Sequence, residues 1–215
     1  MIKKYEVLSN VQKSGIVAVV RGSSADDAYK TSVACIKGGV KAIEVAFTAP
    51  HADKTIEKLS EEYADDDSVI IGAGTVLEPE SARLALMAGA EFVVSPSFNQ
   101  EVAKMCNLYG VSYIAGCFSP REAQLAMEYG VEVVKIFPAG LTGVKTISEF
   151  KGPFPQMEIM PSGGVSLDNL ADWFKDGAFV VGVGGQLVGP AKTGDYAQVT
   201  ENAKKFHDAF AKLNA

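Results

Sequence analysis

The sequence predicts an α/β fold, a (β/α)8 TIM barrel in a single domain over residues 1–215 with a short extra helix at its N-terminus. Three observations predict it. Apolar strand patterns alternate with helical patterns about every 25 residues, as in parallel sheets built by right-handed crossovers. About eight such units in 215 residues fit a closed barrel better than an open doubly wound sheet. Neither a linker nor a break in composition divides the chain.

The elements follow one another in a regular order. Residues 6–13 form a short helical pattern with Val7, Leu8 and Val11 at helical spacing, which we expect to cap the fold. The strand patterns cover residues 16–20, 42–47, 69–73, 92–95, 112–115, 133–137, 158–160 and 179–182. The helical patterns that follow them cover residues 24–37, 52–63, 79–87, 100–109, 120–129, 144–150, 167–175 and 196–213.

Local signals mark where several helices begin and end. Glycine just beyond a helix can adopt the left-handed conformation that closes it, and four helical patterns end in this way, at Gly39, Gly89, Gly130 and Gly177. Ser119 and Pro120 are typical of a helix start, as cap and first-turn residue. Ser166 or Asp168 is expected to cap the helix after the seventh strand.

Composition and charge exclude several classes of function. The net charge of −6 argues against a nucleic-acid partner, which usually meets a basic patch. No apolar run reaches the roughly 18 residues of a membrane span, and the first residues lack a signal-peptide core, so we expect a cytoplasmic protein without a membrane partner. Three separated cysteines and two histidines, His51 and His207, suggest neither disulfides nor a metal site. We expect no metal and no other cofactor.

A lysine in the sixth strand is the first candidate catalytic residue. Side chains alternate between the two faces of a barrel strand. Val134 and Ile136 would pack under the helices, which turns Lys135 and Phe137 toward the barrel interior. Burial disfavours the ammonium form, so Lys135 is a candidate nucleophile. The alternative is a lysine that pairs with a carboxylate or reaches solvent on its long stem.

A carboxylate in the second strand is the second candidate. Ile43, Val45 and Phe47 are the large apolar set of that strand, so Glu44 is expected to point inward. Arg21 stands at the C-terminal end of the first strand, where barrel enzymes build their active sites. Glu44 and Lys135 would then share one cavity, either as catalytic groups or as a buried ion pair that only specifies the core.

Two glycine loops follow the last two strands, at residues 160–165 and 181–186. Loops at these positions frequently form the phosphate site of such barrels, because glycine lets backbone N–H groups approach an anion. The alternative is that tight strand–helix turns need glycine. After the third strand, the hydroxyl of Thr75 either binds a substrate oxygen or caps its turn.

Taken together, these motifs resemble the class I 2-keto-3-deoxy-6-phosphogluconate (KDPG) and 4-hydroxy-2-oxoglutarate (KHG) aldolases over essentially the whole chain. The matching segments are Ile16-Val17-Ala18-Val19-Val20-Arg21, Ile43-Glu44-Val45, Gly72-Ala73-Gly74-Thr75-Val76-Leu77, Ser95-Pro96, Val134-Lys135-Ile136-Phe137-Pro138-Ala139 and Pro161-Ser162-Gly163-Gly164-Val165.

The resemblance implies a reaction and a role for each matched residue. Lys135 would form a Schiff base with the C2 carbonyl of a 2-oxo acid, and Glu44 would be the general acid and base. Cleavage would release an aldehyde and leave a pyruvate enamine on the lysine. Family members work without metal and typically as homotrimers. The substrate-binding residues implied by the matched segments and the last glycine loop are Arg21, Thr75, Pro96, Phe137, Ser162, Gly163, Gly164, Gly184 and Gly185.

Two departures from the family pattern concern the substrate. Thr48 stands where well-known bacterial members carry an arginine that holds anionic groups, and Gln186 stands where some have a serine. The substrate is therefore KDPG, KHG or the 6-phosphogalactonate isomer of KDPG. Two other classes fit the same barrel: a phosphosugar isomerase or epimerase without a Schiff base, and a noncatalytic phosphate sensor.

Overall fold

The computed structural model describes residues 2–213 and contains eight parallel strands arranged as a nearly closed barrel with alternating helices. The strands are β1 (Ile16–Val20), β2 (Ala42–Ala46), β3 (Ile70–Gly74), β4 (Phe92–Val94), β5 (Ser112–Cys117), β6 (Val133–Ile136), β7 (Glu158–Pro161) and β8 (Val181–Val183). Their order is β7-β6-β5-β4-β3-β2-β1-β8, and a parallel bridge between Ser162 and Gly182 joins β7 to β8. The TIM-barrel prediction is confirmed.

Helices connect the strands on the outside. They are α1 (Lys3–Ser14), α2 (Ala25–Lys37), α3 (Ala52–Glu62), α4 (Pro79–Met87), α5 (Gln100–Tyr109), α6 (Pro120–Glu128), α7 (Ala139–Thr142), α8 (Thr146–Lys151), α9 (Leu170–Lys175), α10 (Gly185–Val188) and α11 (Tyr196–Ala211), with a 3-10 helix at Gly189–Thr193. At the start of α6 Ser119 is the cap that the sequence predicts, and the structure adds Glu122 as its reciprocal partner in a capping box.

The core has two apolar layers, as the alternation of strand residues predicts. Ile43, Val45, Val134 and Ile136 belong to the larger layer, between the strands and the helices. The smaller layer fills the barrel interior and includes Val133 with the inward residues of neighbouring strands. Helix α1 adds its buried residues Val7, Leu8 and Val11 to this inner layer, so it closes the barrel from one end.

Four local expectations are wrong. Helix α1 begins at Lys3 rather than at residue 6, and α9 begins only at Leu170. Neither Ser166 nor Asp168 caps α9, because Asn169 stands at that position and its side chain bonds to the preceding loop. Strand β8 runs over Val181–Val183 rather than 179–182.

The segment between β8 and α11 also contains structure that the sequence pattern does not reveal, namely α10 and the 3-10 helix. Within residues 2–213, no helix has the length and apolar character needed to cross a membrane. The same residues contain no cluster of histidine, cysteine and acidic side chains able to hold a metal ion.

Candidate active site

A cavity of about 330 Å³ opens at the C-terminal ends of the strands. It is lined by residues of β1, β6 and β8 and by the loops after β1, β3, β4, β6, β7 and β8. The lining residues are Val19, Arg21, Thr75, Pro96, Lys135, Phe137, Ser162, Gly163, Gly164, Val165, Gly182, Gly184, Gly185 and Gln186. Apart from Glu44, which lies against Lys135 beneath this surface, all the candidate site residues named from the sequence are in this lining.

Lys135 and Glu44 form a buried pair within the barrel. The Lys135 Nζ atom lies 3.6 Å from Glu44 Oε1, and the two side chains are only 6% and 1% exposed. Glu44 Oε2 is also buried and has no hydrogen-bond partner among the residues that the structure describes. Lys135 Nζ lies 5.4 Å from the centre of the Phe137 ring, so one face of the amine is apolar. The pair can pass a proton between amine and carboxylate while Oε2 keeps a free acceptor.

Register explains why the pair meets. Glu44 lies beside Val19 of β1 and Gly72 of β3, and Lys135 lies beside Gly116 of β5. Strands β2 and β6 stand four places apart in the order of the barrel, so the inward side chains of Glu44 and Lys135 meet across its narrow interior.

Arg21 reaches the cavity from an exposed loop that is tied down by Asp27. The Asp27 carboxylate accepts hydrogen bonds from the backbone N–H and the hydroxyl of Ser23, and from the hydroxyl of Tyr196 in α11. Burial alone would raise the pKa of Asp27, but these hydrogen bonds outweigh it and the pKa lies below its ordinary value. The ionised carboxylate thus fixes the loop that carries Arg21.

The loop after β7 presents two glycines to the cavity. Gly163 and Gly164 have φ angles of 83° and 86°, which favour glycine over any residue with a side chain. Asn169 holds this loop: its Nδ2 donates to the Gly164 carbonyl at 2.9 Å, and its Oδ1 accepts from the Ser166 N–H and from Trp173 Nε1. Asn169 is a contributor that sequence reasoning missed.

The other glycine loop leads directly into α10. The N–H groups of Leu187 and Val188 donate to the Gly184 carbonyl and start that helix, so Gly184 and Gly185 stand at its N-terminal end. The exposed Gln186 side chain belongs to the same rim of the cavity. Thr48, in contrast, lies on the exposed turn after β2 and is not part of the lining.

The two histidines considered from the sequence lie outside the lining, and so does Cys117 at the end of β5, a position from which a side chain could have lined the cavity. His51 is exposed at the start of α3, and His207 is exposed on α11, as its helical pattern suggests. Burial raises the pKa of the Cys117 thiol to about 12, so it stays protonated and unreactive at neutral pH. Val19 was missed as a lining residue, whereas Gly182 belongs to the second glycine loop that the sequence indicates. For Val19 a signal was available, because it alternates onto the inward face with Arg21.

The fold and the site define a (β/α)8-barrel enzyme with a buried lysine–carboxylate pair below two glycine loops. The family model for aldolases, described as KDPG and KHG aldolase, matches residues 7–202. The chain therefore belongs to the KDPG and KHG aldolase family, and it is an aldolase, a carbon–carbon lyase.

Individual relatives agree with this assignment. A 2-dehydro-3-deoxy-phosphogluconate aldolase of Treponema pallidum is 39% identical over 204 residues, which cover 93% of this chain and 94% of the relative. A 2-dehydro-3-deoxy-6-phosphogalactonate aldolase of Escherichia coli is 32% identical over a match that covers 81% of this chain and 85% of the relative. A similar solved structure is the crystal structure of KDPG aldolase from Legionella pneumophila, with pyruvate captured as a covalent carbinolamine intermediate. Its TM-score is 0.82 at 26% identity, and the match covers 92% of this chain and 96% of the Legionella chain.

Proposed function

We propose that the protein is a Schiff-base, class I aldolase that cleaves KDPG to pyruvate and glyceraldehyde 3-phosphate, and KHG to pyruvate and glyoxylate. The observation that carries the proposal is the buried pair of Lys135 and Glu44 at the bottom of a cavity lined by glycine loops. An amine next to a base in a mostly closed cavity is the arrangement that Schiff-base chemistry needs.

The reaction begins when Lys135 passes its ammonium proton to Glu44, 3.6 Å away, and the neutral amine attacks the C2 carbonyl of the substrate. Glu44 gives this proton to the carbonyl oxygen, takes another from the nitrogen and passes it to the departing hydroxyl, so the carbinolamine loses water and becomes an iminium ion. Glu44 then removes the proton of the C4 hydroxyl, directly or through a water molecule. The C3–C4 bond breaks, its electrons move toward the iminium nitrogen, and the aldehyde leaves.

The enamine that remains on Lys135 is protonated at C3, and water hydrolyses the resulting iminium to free pyruvate and the amine. No external electron acceptor is needed, because the iminium takes up the electron pair and later releases it. Phe137 packs against the bound pyruvate carbons, and its ring near Nζ keeps water away from one side of the nitrogen.

The substrate lies across the cavity with its two anionic ends held separately. Arg21 and Thr75, with Pro96 beside them, bind the pyruvate carboxylate end. Ser162 and the four glycines Gly163, Gly164, Gly184 and Gly185 bind the phosphate, chiefly through backbone N–H groups. Gln186 adds an amide donor at that rim.

Cleavage assays with three substrates test this proposal. Release of pyruvate is followed for KDPG, its 6-phosphogalactonate isomer and KHG, with wild-type protein and with Lys135→Met. We expect turnover in the wild type and a loss of at least about 10³-fold in the variant, because no other group replaces the nucleophile. A folded Lys135→Met protein that keeps its activity would refute the Schiff-base mechanism and favour an isomerase-like use of Glu44.

A second candidate substrate is the 6-phosphogalactonate isomer, since one of the relatives in the comparison carries that name at 32% identity. The two sugar acids differ at one stereocentre, so the same cavity can hold either. A higher kcat/KM for the galactonate isomer in the assay above would assign that substrate instead, without changing the mechanism.

We also propose a single-domain, cytoplasmic protein that assembles as a homotrimer. Three free, buried cysteines suit a reducing compartment. Leu84 and Met87 on α4 and Leu108 and Tyr109 on α5 are large apolar side chains exposed on adjacent helices, and they support an interface between copies of the chain. Light scattering at several protein concentrations measures the mass of the assembly.

A further inference from the structure

Gly74, the last residue of β3, lies directly against the Glu44 carboxylate. A Cβ atom added at Gly74 would meet three atoms of the Glu44 side chain: Oε1 as the nearest, Cγ at 2.5 Å and Cδ at 2.7 Å. The nearest atom is the same oxygen that pairs with Lys135 Nζ. The position of the ion-paired oxygen therefore depends on the absence of a side chain at residue 74.

The backbone at Gly74 is held by its neighbours. Gly74 lies beside Ala46 in the β2–β3 ladder, and its carbonyl accepts a hydrogen bond of 2.7 Å from the Phe47 N–H. The next residue, Thr75, has a φ of 55°, a conformation that side-chain-bearing residues adopt only when their surroundings impose it. A clash at residue 74 is therefore relieved by movement of the Glu44 side chain rather than by the strand.

We propose that Gly74 is a positioning residue for catalysis, which holds the Glu44 carboxylate at its working distance from Lys135 by leaving that space empty. The inference rests on the proposed function, since it assigns Gly74 an effect only through Glu44 as the proton-transfer group. A methyl group at residue 74 displaces Oε1 and changes the Glu44 rotamer, while Lys135 and the glycine loops stay in place.

The chain offers a matched control two residues earlier in the same strand. A Cβ atom at Gly72 would overlap a similarly close neighbour, the ring of Phe92, with Cε1 and Cζ at 2.5 Å. Phe92 belongs to the inner apolar layer and is fully buried. Gly72→Ala therefore brings the same substitution and a comparable overlap to the same strand, but it strains the core instead of the carboxylate.

The experiment is a double-mutant cycle with KDPG as substrate. Gly74→Ala, Glu44→Gln and the double variant are compared for kcat and KM, and Gly72→Ala is measured beside them for kcat and thermal stability. We expect Gly74→Ala to lower kcat about 10- to 100-fold with KM changed less than about threefold, since acid–base catalysis typically contributes 10²–10⁴-fold. In the Glu44→Gln protein, Gly74→Ala should lower kcat by less than about a further twofold, because the effects of residues that act as one unit are not additive.

Gly72→Ala should instead lower the melting temperature and keep most of the kcat of the folded protein. If Glu44→Gln is impaired but Gly74→Ala turns over normally, or if the two losses multiply, the positioning role is wrong while the proposed function stands. If Glu44→Gln itself turns over normally, the role of Glu44 in the proposed function fails and the inference fails with it.

Glu44→Ala keeps the inference testable if Gly74→Ala does not fold. Alanine removes all three Glu44 atoms that the new methyl group would meet, so the Gly74→Ala/Glu44→Ala protein should fold and match Glu44→Ala in kcat within about threefold. A double variant that stays unfolded, or that is much slower than Glu44→Ala, would overturn the proposal.

Discussion

The substitution Lys135→Met measures how much the buried ion pair with Glu44 contributes to the stability of the folded protein. Methionine matches the lysine stem in length and is apolar, so the substitution removes the charge with little change in packing volume. It leaves Glu44, 1% exposed, without its counter-charge. Breaking a buried pair by removing one partner costs about 3–5 kcal/mol, because the remaining charge is desolvated and uncompensated. For a domain of this size we expect the melting temperature to fall by about 6–20 °C.

Two further variants make the measurement specific. Lys135→Met/Glu44→Gln removes both charges, so it should recover more than about half of the loss in thermal denaturation followed by circular dichroism. Lys54→Met removes one partner of an exposed pair, in which Lys54 Nζ lies 2.9 Å from Glu57 and the side chains are 66% and 48% exposed. That control should leave the melting temperature nearly unchanged, because exposed ion pairs are screened by solvent. If Lys135→Met melts within about 1 °C of the wild type, the buried charge is not uncompensated and the reasoning is wrong.

Three other predictions concern parts of the site and its support. The low pKa of Asp27 stabilises the folded protein above the ordinary carboxyl range, so the difference in melting temperature between wild type and Asp27→Asn should be present at pH 7 and shrink as the pH falls below about 4; a gap at pH 3 as large as the gap at pH 7 would contradict this. Ser119→Ala removes the cap of α6 and should cost about 1 kcal/mol of unfolding free energy in urea, whereas an unchanged midpoint would show that the cap is dispensable. Inorganic phosphate should compete with KDPG, raising its KM without changing kcat, and a purely noncompetitive effect would remove the glycine loops from phosphate binding.

The sequence was most informative where a strict period applies. Alternation along β2 and β6 predicts which face each residue takes, so Glu44 and Lys135 could be placed in the barrel interior before any distance was known. A one-residue shift in either strand would have sent the charge under the helices. Glu44 and Lys135 lie 91 positions apart in the sequence, from 44 to 135. Their contact nevertheless follows from local strand patterns once the barrel is assumed.

What depends on particular side-chain contacts could not be predicted. Asn169 takes the capping position expected of Ser166 or Asp168, because its amide also reaches Gly164 and its oxygen also accepts from Trp173. All three residue types are ordinary caps, so propensity does not separate them. In the same way, nothing in the sequence distinguishes Gly74 from the other glycines near strand ends, and only the three-dimensional structure places it against Glu44.

Covalent trapping with pyruvate examines the Schiff base itself. Wild-type protein is reduced with borohydride in the presence of pyruvate, digested and analysed by mass spectrometry, with Lys135→Met treated in parallel. We expect a pyruvate-derived adduct on the peptide that contains Lys135 and no adduct in the variant. A folded wild-type protein that gives no adduct, or an adduct on a different lysine, would contradict the assignment of Lys135 as the nucleophile.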